Sequence, residues 1–150
     1  MESLAASAFL PIIQLAITPV ILISGVGALM LTLTNRMARI VDRTRVLAVQ
    51  VQAAAGDDRR HLENQLTIMW RRAKLIRMAV TFAGLSMLVA CVLVIAIFAA
   101  ALLETDLTGS LKVLFTASIL LLIAALGAFL RDIYVSLQAL KLEVDRARGR

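Results

Sequence analysis

The chain has 150 residues, a net charge of +6 and 61% hydrophobic side chains, well above the roughly 45–50% of an ordinary soluble domain. A soluble fold of this size cannot hide so much apolar side chain, and the single cysteine excludes an intramolecular disulfide. The charges lie in blocks: the stretches between Glu2 and Arg36, between Arg77 and Glu104, and between Lys112 and Arg131 hold 33, 26 and 18 residues without one. About 20 apolar residues cross the hydrocarbon core as helix, so the pattern predicts an all-α membrane protein. Its spans fall at about 9–35, 78–103 and 111–130.

The first span has no basic residue before it, and it exceeds the 7–15 residues of a signal-peptide core. It is therefore expected to stay in the mature protein. Its stretch "ITPVILISGVGALMLTLTNRMARIVDRTR" carries polar and small residues that a plain span lacks. At about 100° per residue, Gln14, Thr18, Gly25, Thr32, Arg36, Arg39 and Arg43 fall within a sector of about 60°. Lipid is a poor solvent for such a stripe. It is expected to be a packing face, inside the protomer or between copies, with a pore lining as the alternative. Ser24 and Ala28 add a small-xxx-small pair, and "GVG" at residues 25 to 27 reads as helix packing. Pro19 removes the hydrogen bond to the Leu15 carbonyl and predicts a kink.

Beyond Arg36 no turn signal appears until Gly56, which Asp57 and Asp58 follow. Glycine ends one helix and aspartate starts the next, so residues 36–77 read as a helical hairpin. Asp42, the acid among Arg36, Arg39, Arg43 and Arg45, is expected to pair with Arg71, Arg72 or Lys74 and set how the hairpin packs. Arg71, Arg72, Lys74 and Arg77, beside Trp70, are expected to contact anionic lipid. Cys91 lies mid-span and reads as a buried small hydrophobe.

The loop "ETDLTGS" is short, with Ser110 the expected N-cap of the third helix. Apolar seams recur through Ile40, Thr44, Leu47 and Val51, through Leu62, Leu66, Met69, Ala73, Ile76 and Val80, and through Leu130, Ile133, Leu137, Leu140 and Val144. Each has the period of about 3.5 residues that lets helices pack side by side. The expected architecture is one membrane domain of three long helices, about 5–55, 57–103 and 110–147. Their basic ends, the hairpin 36–77 and the helix 131–150, form a cytoplasmic three-helix bundle.

Lysine and arginine are retained on the cytoplasmic side. Residues 36–77 hold ten of the sixteen and the tail from Arg131 five. The N-terminus is therefore expected outside and the C-terminus in the cytoplasm. Topology accounts for the positive charge, and nucleic acid is not an expected partner.

Chemistry-bearing patterns are thin. His61 stands alone, and no paired cysteine, His/Glu metal spacing or phosphate loop occurs. No cofactor, metal site or catalytic group is expected, and the protein is not read as an enzyme. "TNRMARIVDRTR", Thr34 to Arg45, and the apolar run before it resemble the domain of unknown function 2721, a family of small bacterial membrane proteins. The resemblance implies a membrane location and no particular activity. The expectation is a self-associating structural or regulatory membrane protein with a basic bundle open to a cytoplasmic protein partner. The alternative is a small homo-oligomeric channel lined by helix one, with arginines at its inner mouth.

Overall fold

The computed structural model describes the backbone of residues 2–148 and the side chains of residues 11–138. It contains three helices: α1 (Glu2–Ala53), α2 (Gly56–Leu102) and α3 (Thr108–Arg148). Every helix end falls within three residues of its expected position. All three are long and apolar enough to cross a membrane.

The connections follow from local chemistry. At the end of α1 the Ala54 N–H donates to the Gln50 carbonyl (3.0 Å). Gly56 then takes a left-handed φ of 63°, which a side chain would disfavour. Asp57 and Asp58 occupy the first turn of α2, where carboxylates meet the positive end of the helix dipole. At the far end of α2 the Thr105 N–H reaches back to the Ala100 carbonyl (3.2 Å), and Glu104 takes a φ of 50°. That closure normally favours glycine. Asp106 accepts the Thr108 N–H at 3.0 Å, an Asx turn that starts α3. The cap is thus Asp106 and not Ser110, because α3 begins two residues earlier than expected. Hydrogen bonds from the side chain and then the backbone of Thr108 hold the Asp106 carboxyl below its ordinary value.

Tertiary contacts divide the chain into two compact units. The first joins Met1–Met30 to Phe82–Ala124. Its buried residues are mostly small: Ala16, Ala83, Ser86, Ala90 and Ser118, with Val26, Leu93 and Ile97. Large residues such as Ile21, Leu88 and Ile95 point outward. This inversion suits lipid, which is as apolar as leucine and leaves small residues and hydrogen bonds to draw helices together. Pro19 is buried, and α1 passes through Pro11 and Pro19 as one helix. Cys91 is exposed, contrary to its expected burial, because α2 turns Ala90 and Leu93 inward instead.

The second unit joins Leu31–Thr81 to Ala125–Arg150. Here α1 buries Leu33, Ile40 and Leu47 at strict seven-residue steps, and α2 buries Leu75, Ile76 and Ala79. Thr44, Val51, Leu62, Leu66, Met69, Ala73 and Val80 are half-buried beside them. The first two seams are therefore where the apolar spacing placed them. The third is out of phase. Leu130 and Leu137 are 53% and 58% exposed, whereas Ala125 and Asp132, seven residues apart, are fully buried. Ranking by hydrophobicity chose the large residues as core, but a carboxylate that can be paired inside the protein has more to gain from facing inward. Leu140 and Val144 lie outside the described side chains.

Candidate functional site

Asp132 is a fully buried ionisable side chain. Such a carboxylate persists only if paired and hydrogen-bonded. In the second unit, α1 supplies Arg36, whose Nη2 donates to Asp132 Oδ2 at 3.1 Å. From α2 comes Arg72, whose Nε donates to Oδ1 at 3.3 Å. One carboxylate thus ties together a residue from each helix.

Neighbours one turn away orient both cations. The Arg36 guanidinium lies 5.1 Å from the ring centroid of Phe129, within cation–π range, and Phe129 stands three residues before Asp132 on α3. Arg72 Nη1 approaches the sulfur of Met69 at 3.9 Å, three residues back on α2. The side chains of Arg36 and Arg72 keep 32% and 16% of their exposure, so both remain partly solvated.

Arg36 and Arg72 also border an open cavity of about 460 Å³, with Arg39, Arg43 and Gln65 on its other walls. Four arginines therefore border one volume, and among the described residues Asp132 is the one carboxylate paired with any of them. The Gln65 amide is held by His61, with 3.1 Å between its Nε2 and the ring Nε2.

The remaining sequence-predicted residues are dispersed. Gln14, Thr18, Gly25 and Thr32 are exposed along α1, so the stripe before Arg36 is not covered within the protomer, whereas Arg36 turns inward to Asp132. A Cβ added at Gly25 or Gly27 would meet nothing within 4 Å, and "GVG" serves no close approach inside this chain. Asp42 is exposed. Ion pairs among the described residues join Arg36 and Arg72 to Asp132, and Arg59 to Glu63. The packing role expected of Asp42 belongs to Asp132, because α1 turns Ile40, and not residue 42, toward the other helices. Arg71, Lys74 and Arg77 are exposed, with Lys74 Nζ 5.5 Å from the Trp70 ring. Arg72 departs from that set by turning inward to Asp132.

Sequence reasoning passed over three buried polar residues: Asp132, Ser86 and Ser118. In the first unit, Ser86 Oγ donates to the Ser118 carbonyl at 2.7 Å, and Ser118 Oγ donates to the Phe115 carbonyl at 2.8 Å. Asp132 did leave a signal. It is the only acid between Asp106 and Glu143, yet counting apolar gaps treated the adjacent Arg131 as the end of a span and stopped there.

Three long apolar helices, with serines buried in one unit and a charge triad in the other, define a multi-pass membrane protein. Residues 16–142 match the family described as "Protein of unknown function (DUF2721)", and the chain belongs to that family. No curated protein and no solved structure matches the chain.

Proposed function

We propose that the protein is a self-associating membrane protein with a structural or regulatory role, assembled through α1. The carrying observation is that Gln14, Thr18, Gly25 and Thr32 are exposed on a helix apolar enough to cross a membrane. Lipid solvates such a face poorly, and the open space at Gly25 admits the backbone of a second copy. The distribution of lysine and arginine supports an N-terminus outside and the basic ends in the cytoplasm of a bacterial inner membrane. There the exposed Arg71, Lys74 and Arg77 meet anionic headgroups, and the basic bundle is available to a protein partner.

The test is mass measurement of the protein in nanodiscs. The expected result is an oligomer, with Thr18→Leu and Gly25→Leu each shifting the distribution toward monomer. A monomer at every concentration overturns the reading. A second reading, an oligomeric channel, is favoured by Arg39 and Arg43, which are exposed on the same sector of α1 as the stripe. Liposome flux decides it: anion leakage reduced by Arg39→Glu supports conduction, and leakage equal to protein-free liposomes removes it.

A further inference from the structure

We propose that the arginine-walled cavity of the second unit is a binding site for a phosphate-bearing anion. The site lies within one chain, so it stands or falls independently of self-association.

The argument begins with the charge balance. Asp132 offsets only one of the cations at Arg36, Arg39, Arg43 and Arg72. Arg39 and Arg43 take part in no ion pair with the described residues and are exposed at the cavity wall. Four guanidinium groups on facing helices repel one another, and a bound anion removes that cost. Preorganisation is the second observation. Asp132 is fully buried and binds Arg36 through Nη2 and Arg72 through Nε, so the carboxylate fixes both cations while using only part of their donor sets. A guanidinium has five N–H donors, so Arg36 and Arg72, which both border the cavity, keep donors that Asp132 does not use.

Ligand class follows from shape. Arginine's planar fork matches the oxygens of phosphate in pairs, unlike a monatomic ion. The cavity, about 460 Å³, falls in the range of about 300–1,000 Å³ usual for small-molecule sites and has room for a phosphate and the group that carries it. Ile40 lies on one wall and the Gln65 side chain on another, which suits a phosphate ester with a short organic portion. Both a soluble phosphorylated compound and a phospholipid headgroup carry this chemistry.

The experiment uses the full chain in phosphatidylcholine nanodiscs, titrated calorimetrically with inorganic phosphate and with glycerol 3-phosphate. A parallel arm incorporates phosphatidylglycerol and counts retained lipid by native mass spectrometry. Arg39→Gln and Arg43→Gln lie outside the Asp132 triad, and each is expected to weaken binding by about fivefold or more, the loss of a charge-assisted hydrogen bond at a partly exposed site. Arg45→Gln and Arg60→Gln, at exposed positions that do not border the cavity, each remove one charge elsewhere and are expected to leave binding unchanged. Binding of the soluble probes identifies a free phosphorylated ligand, and retention of phosphatidylglycerol alone identifies a headgroup. Either result supports the site if the cavity variants weaken it selectively, and binding left unchanged by both of them overturns it. Absence of binding in both arms overturns the proposal, as does equal weakening by the Arg45 or Arg60 control.

Discussion

The two units are built on opposite rules. In the first, small residues and two serines make up most of the interior while Ile21, Leu88 and Ile95 face out. In the second, Leu33, Ile40, Leu47 and Ile76 fill the interior, and the exposed positions include Arg39, Asp42, Arg43 and Arg45. On the proposed topology, which sets the first unit in lipid and the basic ends in water, the difference follows from what each surface is exchanged with. Against lipid, burying a leucine gains little, so contact is won by close approach and hydrogen bonding. Against water, burying the same leucine is worth about 1.5–3 kcal/mol. The exception in the second unit is Asp132, which brings charge into an otherwise apolar interior and holds it there with two arginines.

The sharpest way to break this contrast is to remove the carboxylate. Asp132→Ala leaves Arg36 and Arg72 facing each other without a counterion and is expected to cost about 3–5 kcal/mol, nearer the lower figure because both guanidiniums keep some solvent. Denaturant titration in mixed micelles measures it. A triple variant, Arg36→Met, Asp132→Leu and Arg72→Met, is expected to recover most of that loss, since apolar packing can replace a buried triad. Failure to recover would show that the triad sets the packing and not merely its own charge balance.

Next in size is Leu47→Ala, which empties a position only 2% exposed and is expected to cost about 2–4 kcal/mol in the same titration. The complementary change in the first unit is overpacking. Ala90→Leu, at a fully buried position, is expected to cost about 1–3 kcal/mol. A negligible effect there would mean that small residues are not what lets the helices of that unit approach.

Smaller still is Ser86→Ala, which removes the hydrogen bond to the Ser118 carbonyl. Such bonds between membrane helices average about 0.6 kcal/mol, so the expected shift is slight, and a loss larger than that of Leu47→Ala would reverse the comparison. Smallest is the acid sensitivity of the α3 cap. The Asp106 carboxyl is held below 3.8, so its contribution is present above that pH and is lost as pH falls through the lower folded value. Amide exchange at Thr108 is expected to quicken only in that acid range.

Much of the helical layout is legible from the residues. The three charge-free runs, the lone Gly56 before two aspartates, and the seam from Ile40 to Val51 each rest on a local rule about length, capping or period. The third seam failed for a physical reason. Leu130 and Leu137 look like core on any hydrophobicity scale, but α3 is rotated so that Ala125 and Asp132 face inward instead. Asp42 and Asp132 show the same limit. Both are single acids near arginines, and linear spacing alone does not reveal which one faces the other helices.

Sequence alone therefore determined the number of helices, their ends and the blocks of charge, because these depend on backbone capping and on the length of apolar runs. Tertiary structure decided that Asp132 pairs with Arg36 and Arg72, that four arginines border one cavity, and that Gln14, Thr18, Gly25 and Thr32 of the α1 stripe are left exposed. Those facts depend on the rotation of each helix about its own axis. That rotation is fixed by packing three helices at once, and no single helix carries the information.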